Sequence, residues 1–267
     1  MEWIGKNLRE LRENHPLVQN ITNFVVMNTT ANALLAIGAS PVMAHAVEEL
    51  EEMVNLADAL VINIGTLDTH WVNSMLKAVK IASQLNKPIV LDPVGAGATK
   101  YRTKVARTIL EEGRISILRG NFSEVQSLLG SGRTRGVDAV GYDEYLAQEL
   151  ALRASEEFGL TVAVTGKTDF VSDGNRIFRI ENGTPLLGRV TGTGCMVSSI
   201  MGAFVAVSSP VQASVSTLVI FGIAAEKAEE ESPYPGSFHV KLYDWLYKID
   251  EELVEKRKRV REIEMEG

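Results

Sequence analysis

The segment Val190-Thr191-Gly192-Thr193-Gly194-Cys195-Met196 runs directly into a long apolar stretch, and no other segment of the chain is as well suited to chemistry. Its glycines allow successive backbone N–H groups to converge, and the N-terminus of a following helix adds partial positive charge. Such a turn can receive a phosphoryl group in transit. Cys195 falls in the first turn of that helix, where the same field should lower the thiol pKa. The competing reading is a tight turn before a core helix, with Cys195 a buried and inert thiol. A second segment, Asn121-Phe122-Ser123-Glu124, also has two readings. Ser123 can cap a helix with Glu124 in its first turn, or Glu124 can lie near a magnesium ion that phosphates also bind. Asp92, followed by Pro93, is a further candidate for that metal environment.

Standard nucleotide motifs are absent. Gly166-Lys167-Thr168 looks like the end of a Walker A loop, but the first glycine of that motif would fall on Thr161, and a hairpin follows where a helix is required. Gly95-Ala96-Gly97 lacks the third glycine of the dinucleotide fingerprint, since Lys100 stands there. His15, His45, His70 and His239 show no metal-ligand spacing; His45 follows Met43 closely and reads as a strand-end histidine or as part of a pocket wall. Met27, Met53, Met75, Met196 and Met201 read as core filler. The basic run Lys256 to Arg261 interleaves with Glu252, Glu255, Glu262 and Glu264, as expected of a solvated helix.

The elements that must hold these residues alternate in type. Helical spacing over 2–14, 25–37, 47–57, 67–85, 104–112, 123–129 and 143–158 is interrupted by short apolar runs at 17–22, 41–44, 59–64, 88–91, 115–118 and 161–164. That alternation predicts a parallel sheet covered by helices on both faces. Ala59 to Ile64 reads as a strand buried on both sides. Asp173-Gly174-Asn175 predicts a hairpin turn adding antiparallel strands at one edge, and helices should follow over 194–207, 211–231 and 238–260. Gly130 to Gly136 reads as a surface loop. No composition shift marks a second domain, so residues 1–267 read as one α/β domain. In such a sheet ligands bind beyond the carboxyl ends of the strands. An acid, an arginine, an asparagine and a lysine fall there together with glycines, at Asn20–Asn23, Gly65-Thr66, Asp92–Gly95, Arg119–Asn121 and Thr165–Lys167.

Composition narrows the function classes. The 267 residues are 45% hydrophobic and 23% charged, which is the globular range. A net charge of −7 argues against general affinity for nucleic acid or anionic lipid. One cysteine points to a reducing compartment, the charged N-terminus is unlike a signal peptide, and serines interrupt the apolar region Met196 to Ala225, which reads as two buried helices broken at Ser209-Pro210. The expectation is a soluble, cytoplasmic protein with no membrane or nucleic-acid partner.

Taken in order, Gln19-Asn20-Ile21-Thr22-Asn23, Gly38-Ala39-Ser40-Pro41-Val42-Met43-Ala44, Asp92-Pro93-Val94-Gly95-Ala96, Arg119-Gly120-Asn121 with Glu124, Val164-Thr165-Gly166 and Thr191-Gly192-Thr193-Gly194-Cys195 resemble the hydroxyethylthiazole kinase family of the ribokinase-like superfamily. The resemblance implies a three-layer αβα fold without a lid domain, and transfer of the ATP γ-phosphate to the hydroxyl of 4-methyl-5-(2-hydroxyethyl)thiazole in thiamine synthesis or salvage. It implies thiazole contacts at Met43 and Gly192 with Asn23 nearby, ATP contacts at Arg119 and Thr165, and a Mg²⁺ environment at Asp92 and Glu124. A homotrimer with active sites between subunits is implied as well. Superfamily relatives usually carry Asp at the position of Cys195, as base for the acceptor hydroxyl, whereas the thiazole kinases carry Cys. Cys195 is therefore the candidate catalytic residue, orienting the hydroxyl or accepting its proton. Phosphoryl transfer through a loose transition state depends chiefly on positioning and charge stabilisation, so it tolerates a weak base. Two alternatives stay open: a related enzyme such as a hydroxymethylpyrimidine kinase, and a catalytically idle small-molecule binder.

Overall fold

The structure is a computed structural model and describes residues 1–129 and 143–264. Helix and strand alternate from the start. α1 (Trp3–Asn14) leads to β1 (Leu17–Ile21), α2 (Met27–Ile37) to β2 (Ser40–Val42), and α3 (Leu50–Leu56) to β3 (Ala59–Asn63). The pattern continues with α4 (Thr69–Gln84), β4 (Ile89–Asp92), α5 (Lys100–Glu112) and β5 (Ile117–Asn121). Next come α6 (Phe122–Leu128), α7 (Glu144–Phe158), β6 (Thr161–Thr165), β7 (Asp169–Ser172) and β8 (Ile177–Ile180). A 3₁₀ turn over Pro185–Arg189 precedes α8 (Thr193–Val205), α9 (Pro210–Glu231), α10 (Pro235–Lys248), α11 (Glu251–Arg257) and β9 (Val260–Ile263).

The strands form one sheet in the order β2-β1-β3-β4-β5-β6-β7-β8-β9. Neighbours from β2 to β6 run parallel, and those from β6 to β9 antiparallel. Apolar side chains alternate between two cores, one on each face. Ala59 and Val61 of β3 pack with α8 and α9, whereas Leu60 and Ile62 join the core beneath α4 and α5. This is why the strand reads as an unbroken apolar run. α8 lies close to the sheet because Gly202 has no side chain: a Cβ there would meet Val61 Cγ2 at 2.5 Å and Val18 Cγ1 at 2.9 Å. That close approach sets the N-terminus of α8 at the carboxyl ends of the central strands. α9 has the length and apolarity of a membrane span, yet 83% of its apolar window is buried inside the protein, so it serves as a core helix.

The predicted hairpin is present. Asp173 Oδ1 accepts from Asn175 N and Arg176 N, and Gly174 takes φ +86° between β7 and β8. The predicted continuous helix over 238–260 is not. Asp250 caps a new helix by accepting from Leu253 N at 2.8 Å, and residues 260–263 pair with β8 as the sheet's outer strand. The basic run accordingly spans a helix end, a turn and a strand. Arg257 pairs with Glu230 and Arg259 with Glu226 on α9, while Lys258 pairs with Glu255 of α11 three residues before it. An unpaired β8 edge offers a row of backbone groups, and pairing them outweighs local helical periodicity. The surface loop read at Gly130 to Gly136 lies outside the described residues.

Candidate active site

Strand order reverses at β1. The chain passes from β1 to β2 on one side and then returns to β3 on the other, which opens a crevice at the carboxyl ends of β1 and β3. Five of the predicted site residues gather there and along the ends of β4, β5 and β6. Asn23 Nδ2 donates to Asn63 Oδ1 at 2.8 Å and lies 3.6 Å from Cys195 Sγ. Asp92, at the end of β4, is buried and accepts on Oδ2 from Ser198 Oγ at 2.7 Å and from Asn63 Nδ2 at 3.0 Å. Arg119 of β5 reaches the same oxygen at 3.7 Å through Nη1, while its Nη2 donates to Thr165 Oγ1 at 2.7 Å. The glycine loop brings the N-terminus of α8 over this group. Gly192 turns the chain at φ +83°, and Gly194 leaves room for the guanidinium: a Cβ there would lie 2.7 Å from Arg119 Nη1.

Electrostatics at the centre differ from the sequence expectation. Burial pushes the Cys195 thiol up to about 11, and the nearby Asp92 charge adds to that; the Asn23 and Asn63 hydrogen bonds and the Arg119 charge only partly oppose it. Desolvation and a neighbouring carboxylate therefore outweigh the helix field that should have lowered it. Asp92 is itself held up at about 6 by burial, against the opposing pull of Arg119 and the Ser198 hydrogen bond. The thiol is consequently neutral at physiological pH. A rise from 9.0 to about 11 cuts the thiolate fraction roughly a hundredfold. Iodoacetamide at pH 7.5 should alkylate Cys195 at least that much more slowly than an ordinary free thiol. Labelling at the ordinary rate, followed by mass spectrometry, would show the thiol to be activated instead.

Glu124 takes part in a helix cap, one of the two roles its position allowed. Its Oε2 accepts from Asn121 N at 2.8 Å, while Asn121 Oδ1 accepts from Glu124 N at 3.0 Å, a reciprocal capping box at the start of α6. The cap is Asn121, where Ser123 was expected. Glu124 Oε1 also accepts from Gly95 N at 2.9 Å, tying α6 to the loop after β4 that follows Asp92. Met43 follows β2, half-buried, with β1 and β3 between its strand and β4. Its segment is anchored where Gln19 Nε2 donates to the Ala44 carbonyl at 3.0 Å. His45 stacks on Trp71 with ring centroids 3.9 Å apart, and Phe24 lies against the same indole. The Gly166-Lys167-Thr168 segment is the turn between β6 and β7, closed where Asp169 accepts from Gly166 N, and is no phosphate loop.

A divalent cation fits the donor set in a limited way. Among the described residues no group of three or more His, Cys, Asp or Glu side chains gathers to hold a metal. Asp92 Oδ1, however, is buried with no hydrogen-bond partner beside an oxygen that has several. A single open carboxylate oxygen suits Mg²⁺, which is commonly held by one or two carboxylates together with the phosphates of a substrate.

The sequence reading missed Asn63, Ser198 and Arg102. Asn63 was absorbed into an apolar run, although an amide at the carboxyl end of a buried strand is a signal in itself. Ser198 lies four residues after Gly194 and so on the same helix face, but serine is too common in helices to stand out. Arg102 donates to the Val94 carbonyl and the Gly65 carbonyl, both at 2.7 Å, and clamps the loops after β3 and β4 together.

Comparison with known proteins identifies the family of the chain. A family model described as the hydroxyethylthiazole kinase family matches residues 8–252. The chain is 66% identical over 264 residues to a hydroxyethylthiazole kinase from Pyrococcus abyssi, covering 98% of this chain and 99% of that protein. A solved hydroxyethylthiazole kinase structure from Pyrococcus horikoshii superposes with a TM-score of 0.93 at 61% identity, covering 99% of this chain and all of that one. A ribokinase-like superfamily protein from Enterococcus faecalis shares the fold at a TM-score of 0.65 and 14% identity, covering 90% of this chain and 89% of that one. With a match across nearly its whole length, and the glycine loop, Arg119 and Asp92 assembled at one sheet edge, the chain belongs to the hydroxyethylthiazole kinase family.

Proposed function

We propose that the chain phosphorylates the hydroxyl of 4-methyl-5-(2-hydroxyethyl)thiazole with ATP and Mg²⁺, as one ribokinase-like domain over residues 1–267, in thiamine synthesis or salvage. The observation that carries this reading is the convergence of a helix N-terminus, an arginine and a half-open buried carboxylate on one strand-end crevice. Arg119 and Thr165 bind the ATP phosphates, and the amides of Gly192 to Gly194 receive the phosphoryl group in transit. Asp92 would hold Mg²⁺, with Glu124 close by from a carboxylate already braced by two backbone amides. When bound, the cation neutralises charge developing on the phosphates. Met43, Gly192 and Asn23 hold the thiazole so that its hydroxyl meets Cys195.

With its thiol held neutral, Cys195 orients the hydroxyl through Sγ rather than withdrawing its proton beforehand. In a loose transition state the attacking oxygen forms little bond before the phosphoryl group is nearly free, so the proton need leave only late. Family resemblance further supports a cytoplasmic homotrimer with sites between subunits.

The test is ADP release with ATP, Mg²⁺ and hydroxyethylthiazole, run beside hydroxymethylpyrimidine and a no-acceptor control. Turnover only with the thiazole is expected. Turnover with the pyrimidine alone would move the assignment to that sister activity, and silence with both despite thiazole binding would favour an idle binder. Replacing Cys195 by Ala should lower kcat by about a hundredfold, the lower range for a positioned proton-handling group, whereas Cys195→Asp should retain activity. Unchanged kcat in Cys195→Ala would remove the thiol from the mechanism.

A further inference from the structure

Asn63 is the side chain that joins the acceptor side of the crevice to its acidic side. Buried at the end of β3, its Oδ1 accepts from Asn23 Nδ2 at 2.8 Å and from Gly65 N at 3.0 Å. Its Nδ2 donates to Asp92 Oδ2 at 3.0 Å. These partners fix the amide's orientation, because an ionised carboxylate only accepts and a backbone N–H only donates. Ser198 Oγ, fully buried, donates to that same Oδ2 at 2.7 Å, and Arg119 Nη1 lies 3.7 Å from it.

All of these donors fall on one oxygen of Asp92. The other, Oδ1, is equally buried and has none. A carboxylate torsion is soft and nearly two-fold, so without restraint the oxygens would exchange places and share the donors. A buried acceptor left bare is also costly unless a ligand or water completes it. The asymmetry is therefore imposed by the residues that grip Oδ2.

We propose that Asn63 and Ser198 are positioning residues that pin Oδ2 of Asp92, so that Oδ1 alone is presented to the divalent cation accompanying the phosphate donor. This rests on the assignment of Asp92 to the metal environment. Asn63 has a second consequence that Ser198 lacks: by holding Asn23 it ties the placement of the thiazole alcohol to the orientation of the acid.

The full-length protein and its Ser198→Ala, Asn63→Ala and Asp92→Asn variants would be titrated with Mn²⁺ at saturating ADP and followed by EPR. Steady-state kinetics and thermal melting would be measured alongside. Ser198→Ala should weaken Mn²⁺ binding and lower kcat by about ten- to a hundredfold, the usual effect of losing a partner that orients a metal ligand. Its KM for the thiazole alcohol should stay at the parent value, and the protein should remain folded at assay temperature although its melting temperature falls with the lost hydrogen bond to a buried carboxylate. Asn63→Ala should show the same loss of Mn²⁺ affinity and, in addition, a raised thiazole KM. Parental Mn²⁺ affinity in Ser198→Ala overturns the proposal, as does an activity loss that only tracks loss of folded protein. Should Asn63→Ala fail to fold, Ser198→Ala still decides. Parental Mn²⁺ binding in Asp92→Asn would instead show that the metal assignment itself is wrong, a failure distinct from one confined to Ser198 and Asn63.

Discussion

Asp92→Asn is expected to remove about 10²–10³-fold in kcat while leaving the folded protein as stable as the parent or more so at neutral pH. The kinetic loss follows from replacing the half-open carboxylate with a neutral amide. Stability moves the other way because the carboxyl is buried and its pKa stands at about 6, against an ordinary 3.8. A carboxyl whose pKa is raised in the folded state stabilises that state fully only below the unfolded value. In metal-free protein this contribution is lost as pH rises from about 4 to about 6. Above that window the ionised parent carries a penalty of up to about 3 kcal/mol, which the amide avoids. The substituted amide would keep an oxygen to accept from Asn63 and Ser198; Arg119, left without a counter-charge, offsets part of the gain. Melting curves of both proteins in EDTA, from pH 4 to pH 8, measure this directly. The difference should grow in favour of Asn up to about pH 6 and then level off. A variant that melts well below the parent at pH 7.5 would show that Asp92 holds the site together and is not strained by it.

Gly194→Ala should likewise separate stability from activity. Gly194 lies inside the first turn of α8 and is not at positive φ, so alanine suits the backbone and favours the helix by about 1 kcal/mol. The new Cβ would fall 2.7 Å from Arg119 Nη1 and 3.1 Å from Nη2. A guanidinium can swing aside without moving the backbone, but in doing so it leaves Asp92 and Thr165, and the lost pairing offsets the gain in helix propensity. The expected result is kcat/KM for ATP reduced by about a hundredfold, with the protein still folded at assay temperature. Gly192→Ala is the contrast. Its φ of +83° and a Cβ 2.7 Å from Val26 Cγ1 make it both strained and crowded, so it should lose about 1–2 kcal/mol of stability. If Gly194→Ala kept parental kinetics, the close fit of Arg119 over the glycine turn would have no catalytic meaning.

At this centre local stability is given up for function. Asp92 is kept buried yet largely ionised at neutral pH, and a glycine occupies a helix position whose backbone would suit alanine better. Neither cost is visible in composition or periodicity.

Local residues alone determined a good deal of this protein. Ala59 to Ile64 reads as a strand buried on both faces because its alternate side chains meet two different cores. The turn at Asp173-Gly174-Asn175 and the break at Ser209-Pro210 are likewise local, since each depends on residues within a few positions of one another. The glycine loop before α8 was legible for the same reason. What the tertiary structure decided depends on groups far apart in the chain. Ser198 meets Asp92 across 106 residues and Asn23 meets Cys195 across 172, so no local pattern could mark Asn63 and Ser198 as their joint supports. The direction of the Cys195 shift was misread because the helix field is a local effect, whereas desolvation and the Asp92 charge come from packing. The cap at Glu124 is local, but the Gly95 amide that donates to its second oxygen comes from another loop and is placed only by the fold. The C-terminal segment followed the same rule: helical spacing predicted one helix over 238–260, but an open edge on β8 was available only in the folded sheet, and pairing of residues 260–263 with it prevailed.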